Sequence, residues 1–162
     1  MGIYRGIQNV RETQLRVLTD AGATRALGEE LAGWLLAAPQ TPLSVLLLQG
    51  ELGAGKTCLV QGLGMALGIE EPITSPTFAL AQHYRGLRQG RPTYLVHLDL
   101  YRLEQPASAD ELFAQEEEEA RSLGAVLVVE WPERLSVPPG PAWLVELLHR
   151  KEGRQAVISQ QG

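Results

Sequence analysis

The chain has 162 residues, 44% of them hydrophobic, enough to bury one sizeable core without help from disulfides or structural metals. Its single cysteine, Cys58, excludes an internal disulfide and points to a reducing compartment. The net charge of −5, from 19 acids against 14 bases, excludes a long-range pull on nucleic acid spread over the whole molecule.

Residues 1–13 mix Arg, Gln and Gly without periodicity, so 1–16 reads as a loose N-terminal extension ahead of a single domain over 17–159. Residues 1–20 lack a basic start followed by an apolar core, and Gly6 stands where a myristoylation motif wants Ser or Thr. No apolar stretch approaches membrane-spanning length, and the expectation is a cytoplasmic protein without membrane contact. Leu15 to Leu18 predicts an edge strand. Thr19 or Asp20 caps a helix running to about Ala38, with Ala23, Ala26, Leu27, Leu31, Trp34 and Leu35 as its apolar stripe and Pro39 as its stop.

Ser44 to Leu48 is a short apolar run, the pattern of a buried strand. Gly50 to Thr57 follows as Gly-Glu-Leu-Gly-Ala-Gly-Lys-Thr, which fits the phosphate-binding loop pattern of Gly, four residues, Gly, Lys and Ser or Thr. Glycines there let successive N–H groups turn inward on a phosphate. Lys56 supplies a mobile charge for the β and γ oxygens, and the Thr57 hydroxyl can ligate magnesium. Leu59, Val60, Leu63, Ala66 and Leu67 recur at helical spacing up to Gly68, so the loop opens a helix whose N-terminal dipole favours phosphate. A chance glycine-rich turn would not come with that strand and helix. Cys58 is better explained by packing than by redox chemistry.

In Ile73 to Phe78, Pro76 breaks any helix, and the hydroxyls of Ser75 and Thr77 either face a γ-phosphate or serve a plain turn. Thr77 to Tyr84 has strand character, and Arg85 to Pro92 reads as a hairpin-like connection. Thr93 to Tyr101 is the next strand, and period two places His97, Asp99 and Tyr101 on one face. That face is either an active-site rim or a structural His–Asp hydrogen bond. Gln105 to Ser122 permits a helix, with Glu116 to Glu119 as a solvated face. Ala125 to Glu130 is a buried strand ending in a carboxylate, the pattern that delivers an acid beside magnesium; Asp is usual there, and the extra methylene of Glu130 leaves open direct ligation, ligation through water or activation of the attacking water. Trp131-Pro132 ends it. Pro141 to Leu148 and Gln155 to Ser159 predict two last strands, and Arg154 is either a turn charge or a group that stacks on a base.

The segments 50–57, Ser-Pro-Thr-Phe (75–78), His-Leu-Asp-Leu-Tyr-Arg (97–102) and Glu-Trp-Pro-Glu (130–133) together resemble the TsaE (YjeE) family, the ATPase component of bacterial tRNA threonylcarbamoyladenosine biosynthesis. The resemblance covers residues 17 to about 158. It implies an α/β domain of the P-loop NTPase kind, a three-layer sandwich whose mixed, largely antiparallel central sheet is flanked by helices. It implies ATP and Mg2+ as cofactors, with Gly53, Ala54, Gly55, Lys56, Thr57 and Cys58 around the phosphates and Thr57 and Glu130 holding the metal. Ser75, Pro76 and Thr77 match the family's switch segment, and Asp99 matches an acid that assists hydrolysis, beside Lys56 and Glu130 in the catalytic set. Trp131 belongs to the same signature. Arg154 matches a residue beside the base, and Asp20 and Thr24 match the start of the first helix, with backbone near Ala21 approaching the nucleotide. The implied partners are the ASKHA-fold proteins TsaD and TsaB, with tRNA reached only through their complex and ATP hydrolysis resetting that complex between turnovers. The N-terminal extension has no family counterpart, and the acidic segment 113–121 departs from the family pattern. A small-molecule or nucleoside kinase and a non-hydrolysing nucleotide-dependent binding module are the competing functions.

Overall fold

The computed structural model describes residues 13–37 and 43–162. In chain order its elements are β1 (Gln14–Leu18), α1 (Ala21–Leu36), β2 (Ser44–Gln49), α2 (Lys56–Ala66), β3 (Ala81–Arg88), β4 (Arg91–Asp99), α3 (Pro106–Leu123), β5 (Val126–Glu130), β6 (Ala142–His149) and β7 (Arg154–Gln161). The strands form one seven-stranded sheet in the order β1-β7-β6-β2-β5-β4-β3. The sheet is mixed. β6-β2, β2-β5 and β5-β4 pair in parallel at the centre, and β1-β7, β7-β6 and β4-β3 pair antiparallel at the flanks. Antiparallel pairing is therefore half of the ladders and is confined to the two sides.

Strand alternation sends the central side chains to two cores. Leu46, Leu48, Val126, Val128, Val145 and Leu147 meet α1 and α2 on one face. Val45, Leu47, Val96, Leu98, Leu127 and Val129 meet α3 on the other, completing three layers. β2 and β5 are buried on both sides, which is why their sequences are continuous apolar runs rather than alternating ones.

Asp20 caps α1, its Oδ1 accepting from the Ala23 N–H at 2.8 Å. Leu27, Leu31 and Leu35 of the predicted stripe are buried, whereas Ala26 is exposed. Ala38 and Pro39, the predicted helix end and stop, lie outside the described residues, as does most of the proposed extension. α1 and α2 touch through glycine. A Cβ on Gly28 would lie 2.1 Å from the Leu59 carbonyl oxygen, and one on Gly62 would lie 2.0 Å from that of Arg25. The backbones approach until only hydrogen fits between them.

Three local readings change. Thr77 to Ala79 form a turn rather than a strand, closed by the Leu80 N–H on the Pro76 carbonyl at 2.7 Å, and β3 begins only at Ala81. The predicted connection 85–92 is largely strand: β3 and β4 run on to a two-residue turn at Gln89 and Gly90, both with positive φ, as tight hairpins require. In the acidic run, Glu116 faces inward, 2.6 Å from His83 Nε2, and ties α3 to the edge strand β3. Its neighbours Glu118 and Glu119 are exposed as expected.

The glycine contact between α1 and α2 is testable against an internal control. Gly62→Ala is expected to cost about 1–3 kcal/mol by overpacking against backbone. Gly33→Ala, on the same helix pair but with nothing within 4 Å of its Cβ, is expected to gain about 0.5–1 kcal/mol of helix propensity. Denaturant unfolding of the two variants measures both.

Candidate functional site

Parallel strands deliver their carboxyl ends to one edge of the sheet, where crevices form. Here β2 ends at Gln49 and runs into the loop 50–55, and β4 and β5 end at Asp99 and Glu130. These two acids are paired in register, and Glu130 is also in register with Leu48 on its other side. Gly55 N-caps α2 with φ of 108°, a left-handed conformation that a side chain would resist, and so turns the chain into the helix directly after the loop. The helix N-terminus thus faces the two carboxylates.

Between them lies a cleft of about 350 Å³, lined by Leu52, Gly53, Gly55, Lys56, Thr57, Cys58, Ser75, Thr77, Asp99, Glu130 and Trp131. Most of the residues singled out in the sequence therefore converge on one space. Lys56 is buried, and its ammonium donates to the Gly50 carbonyl and to that of Glu51 at 3.1 Å. The ammonium also lies 4.8 Å from the Trp131 ring centre, within cation–π range. Burial pushes the Lys56 ammonium below its ordinary value, while Glu130, Asp99 and Glu133 pull it back up.

Asp99 is 3% exposed. Burial holds its carboxyl above the usual aspartate range, reinforced by the Glu130 charge and opposed by the Tyr101 N–H and the Thr77 hydroxyl. Those two donors sit at 2.9 and 3.0 Å, and Ser75 Oγ is 2.7 Å from Thr77 Oγ1, so the 75–77 segment is wired to the end of β4. His97 and Glu130 are both buried, with Nε2 and Oε2 2.6 Å apart. The face read as either a rim or a structural His–Asp bond is thus sealed at His97, and the imidazole partners Glu130 rather than Asp99.

Trp131 follows β5 with φ of 60°, an uncommon backbone for a bulky residue, and its N–H returns to the Leu48 carbonyl at 3.2 Å. Its ring packs at 4.9 Å on Tyr101 and lies 5.7 Å from the Arg134 guanidinium. Arg134, not singled out from the sequence, thus packs near the Trp131 and Tyr101 rings; a cation three residues after a strand-ending Trp was its only signal.

The remaining predicted residues line a second hollow on the other side of the loop. Leu18, Asp20, Ala21, Thr24, Ala54, Gly55, Cys58, Gly153 and Arg154 surround it. Gly55 and Cys58 belong to both spaces, so the two hollows meet at the start of α2. Arg154 donates to the Gly53 carbonyl at 3.2 Å, and Cys58 Sγ donates to the Ala21 carbonyl at 3.3 Å. Cys58 is a bridging contact between α1 and α2, in line with packing.

No cluster of three or more His, Cys, Asp or Glu with metal-holding geometry occurs among the described residues. The Thr57 hydroxyl and the Glu130 carboxylate both line the cleft and are hard oxygen groups. That suits magnesium, which is held by few protein ligands and completed by phosphate and water. No helix among the described residues is long and apolar enough to cross a membrane.

A family model described as threonylcarbamoyl adenosine biosynthesis protein TsaE matches residues 18–157. A protein of Nostoc sp. named tRNA threonylcarbamoyladenosine biosynthesis protein TsaE is 45% identical over 129 residues, covering 78% of this chain and 76% of the relative. A protein of Synechocystis sp. with the same name is 46% identical over 126 residues, covering 75% and 72%. Among solved structures, YdiB of Bacillus subtilis superposes with a TM-score of 0.65 at 23% identity, over 95% of this chain and 89% of that one, a likeness of fold alone.

The raised Asp99 carboxyl gives a signed pH prediction. A carboxyl whose folded-state value exceeds its unfolded value favours folding as pH falls through that interval, and disfavours it when ionised above. Asp99→Asn is therefore expected to raise the melting temperature at pH 7 in metal-free buffer. The gain should shrink as pH falls towards the ordinary carboxylate range, which melting curves across pH 4–7 would follow.

Proposed function

The chain belongs to the TsaE family, and from that membership we propose that it binds and hydrolyses ATP with Mg2+ in support of tRNA N6-threonylcarbamoyladenosine formation. The observation that carries this reading is the convergence of Lys56, Thr57, Asp99 and Glu130 on one cleft at the N-terminus of α2. A phosphate-sized anion there would meet loop N–H groups, the helix dipole and one buried cation. ATP would lie with its phosphates along Gly53 to Cys58 and its base in the second hollow, between Ala21 and Arg154. The planar guanidinium of Arg154 is suited to stack on a base.

Thr57 and Glu130 would hold the metal. When bound, magnesium supplies positive charge to the phosphate oxygens and fixes their geometry. The Lys56 ammonium, released from the Gly50 and Glu51 carbonyls, would neutralise charge on the β and γ oxygens. Asp99 would orient or deprotonate the attacking water, and burial raises its carboxyl in the direction that favours accepting a proton. Ser75 and Thr77 would sense the γ-phosphate, because their hydroxyl chain ends on Asp99. Partners follow from the same membership: the chain would act on a TsaD–TsaB complex between its turnovers, in the cytoplasm, with tRNA reached through that complex.

Phosphate release from labelled ATP, with and without TsaD and TsaB, tests the reading. Slow release alone and strong stimulation by the pair are expected. Phosphate transferred to a small acceptor would instead indicate a kinase, and no release under any condition a nucleotide-gated binding module. Lys56→Ala is expected to weaken ATP binding by about 10–100-fold, the equivalent of roughly 1.5–3 kcal/mol for hydrogen bonds to a charged group. Calorimetry measures it. Thr57→Ala should weaken magnesium-dependent binding more than metal-free binding.

A further inference from the structure

His97 is the most enclosed polar side chain near the cleft, with no exposed surface, and it does not line the cleft itself. It lies on β4, flanked across the ladder by Gln82 of β3 and Val128 of β5. It is two residues from Asp99 and on the same sheet face, but its hydrogen bond runs to the neighbouring strand, to Glu130 Oε2 at 2.6 Å. Its other nitrogen, Nδ1, has no partner among the described residues. A histidine kept only to satisfy the interior would use both nitrogens, since a buried polar atom without a partner is costly. This one spends its single bond on a carboxylate at the mouth of β5.

We propose that His97 is the positioning residue of the metal site, holding Glu130 in the one orientation from which it can ligate a divalent cation. Nε2 is the ring nitrogen that meets the carboxylate, and Nδ1 is left without a partner. That bond occupies Oε2, and no described residue bonds Oε1, which is thus the oxygen available to a ligand. A glutamate has one more rotatable bond than the aspartate usual at such a position, and the imidazole removes the added freedom. Partners that orient a ligating group in this way commonly change metal affinity by about 10–100-fold when removed. The inference rests on Glu130 being a metal ligand, as in the function proposed above.

The test is binding of a non-hydrolysable ATP analogue by calorimetry, with Mg2+ titrated upward from a chelator-treated sample. The arms are the parental protein, Glu130→Gln, His97→Phe, His97→Gln and His97→Asn. His97→Phe is expected to raise the magnesium midpoint by about 10–100-fold while leaving metal-free affinity unchanged. His97→Gln, whose amide nitrogen reaches the place of Nε2, is expected near the parental midpoint. His97→Asn, a methylene shorter, should move with Phe. Adding His97→Phe to Glu130→Gln should bring no further shift, because both act through one group. If the Phe variant fails to fold, the Gln and Asn pair decides alone. Equal midpoints for Gln and Asn, with Glu130→Gln still shifted, overturn the positioning role and leave the proposed function standing. A parental midpoint in Glu130→Gln overturns the metal assignment itself.

Discussion

The site depends on a register. β5 lies between β2 and β4, and one transverse row of the parallel ladder contains Leu48, Glu130 and Asp99. All three strands run the same way, and β4 and β5 leave the sheet at that row while β2 ends one residue beyond it, at Gln49. A slip of one residue in β5 would turn Glu130 to the α3 face and place an apolar side chain against the loop. The row continues one step outward, with Trp131 bonded to Leu48 and Leu100 to the Glu130 carbonyl, so the sheet is still paired where the acids emerge. Leu46, Leu47, Leu48, Leu127, Val128 and Val129 are each 1% exposed or less, and their burial pins the register that the polar residues need.

That arrangement crowds charge into a poorly solvated space. Asp99, Glu130 and Lys56 are all buried, and the direction of the Asp99 and Lys56 shifts says that burial outweighs their attraction for one another. The fold offsets part of the cost with local partners: the Tyr101 N–H and Thr77 hydroxyl for Asp99, His97 for Glu130, backbone carbonyls for Lys56. Groups held by such bonds are oriented before any ligand arrives, which is the condition for electrostatic stabilisation without reorganisation. The central strands β2 and β5, buried on both faces, supply the rigidity.

The elements that carry this row were legible in the sequence because each has its own local signature. β2 and β5 are unbroken apolar runs, the loop is spelled out by its glycines and lysine, and α1 begins at a capping aspartate. What was not legible depends on partners far away in the chain. Glu116 looks like its acidic neighbours until β3 brings His83 to it. Gly28 and Gly62 look like helix defects until the two helices press together. The stretch 85–92, rich in arginine and glycine, reads as a loop because pairing with β4, not composition, makes it strand. At the site, proximity in sequence suggested a bond between His97 and Asp99, whereas cross-strand geometry gives the imidazole to Glu130.

The three tryptophans are divided in a way that has an optical consequence. Trp34 and Trp143 pack at 5.0 Å on the α1 side of the sheet, a coupled pair whose transitions should mix in the far ultraviolet. Trp131 stands apart from them at the cleft, its indole set between the Lys56 ammonium and the Arg134 guanidinium. Emission from an indole responds to charge on its faces, so displacement of Lys56 would change the colour of one chromophore while the pair stayed constant. The molecule carries its own reporter beside the loop 50–55 and its own reference away from it.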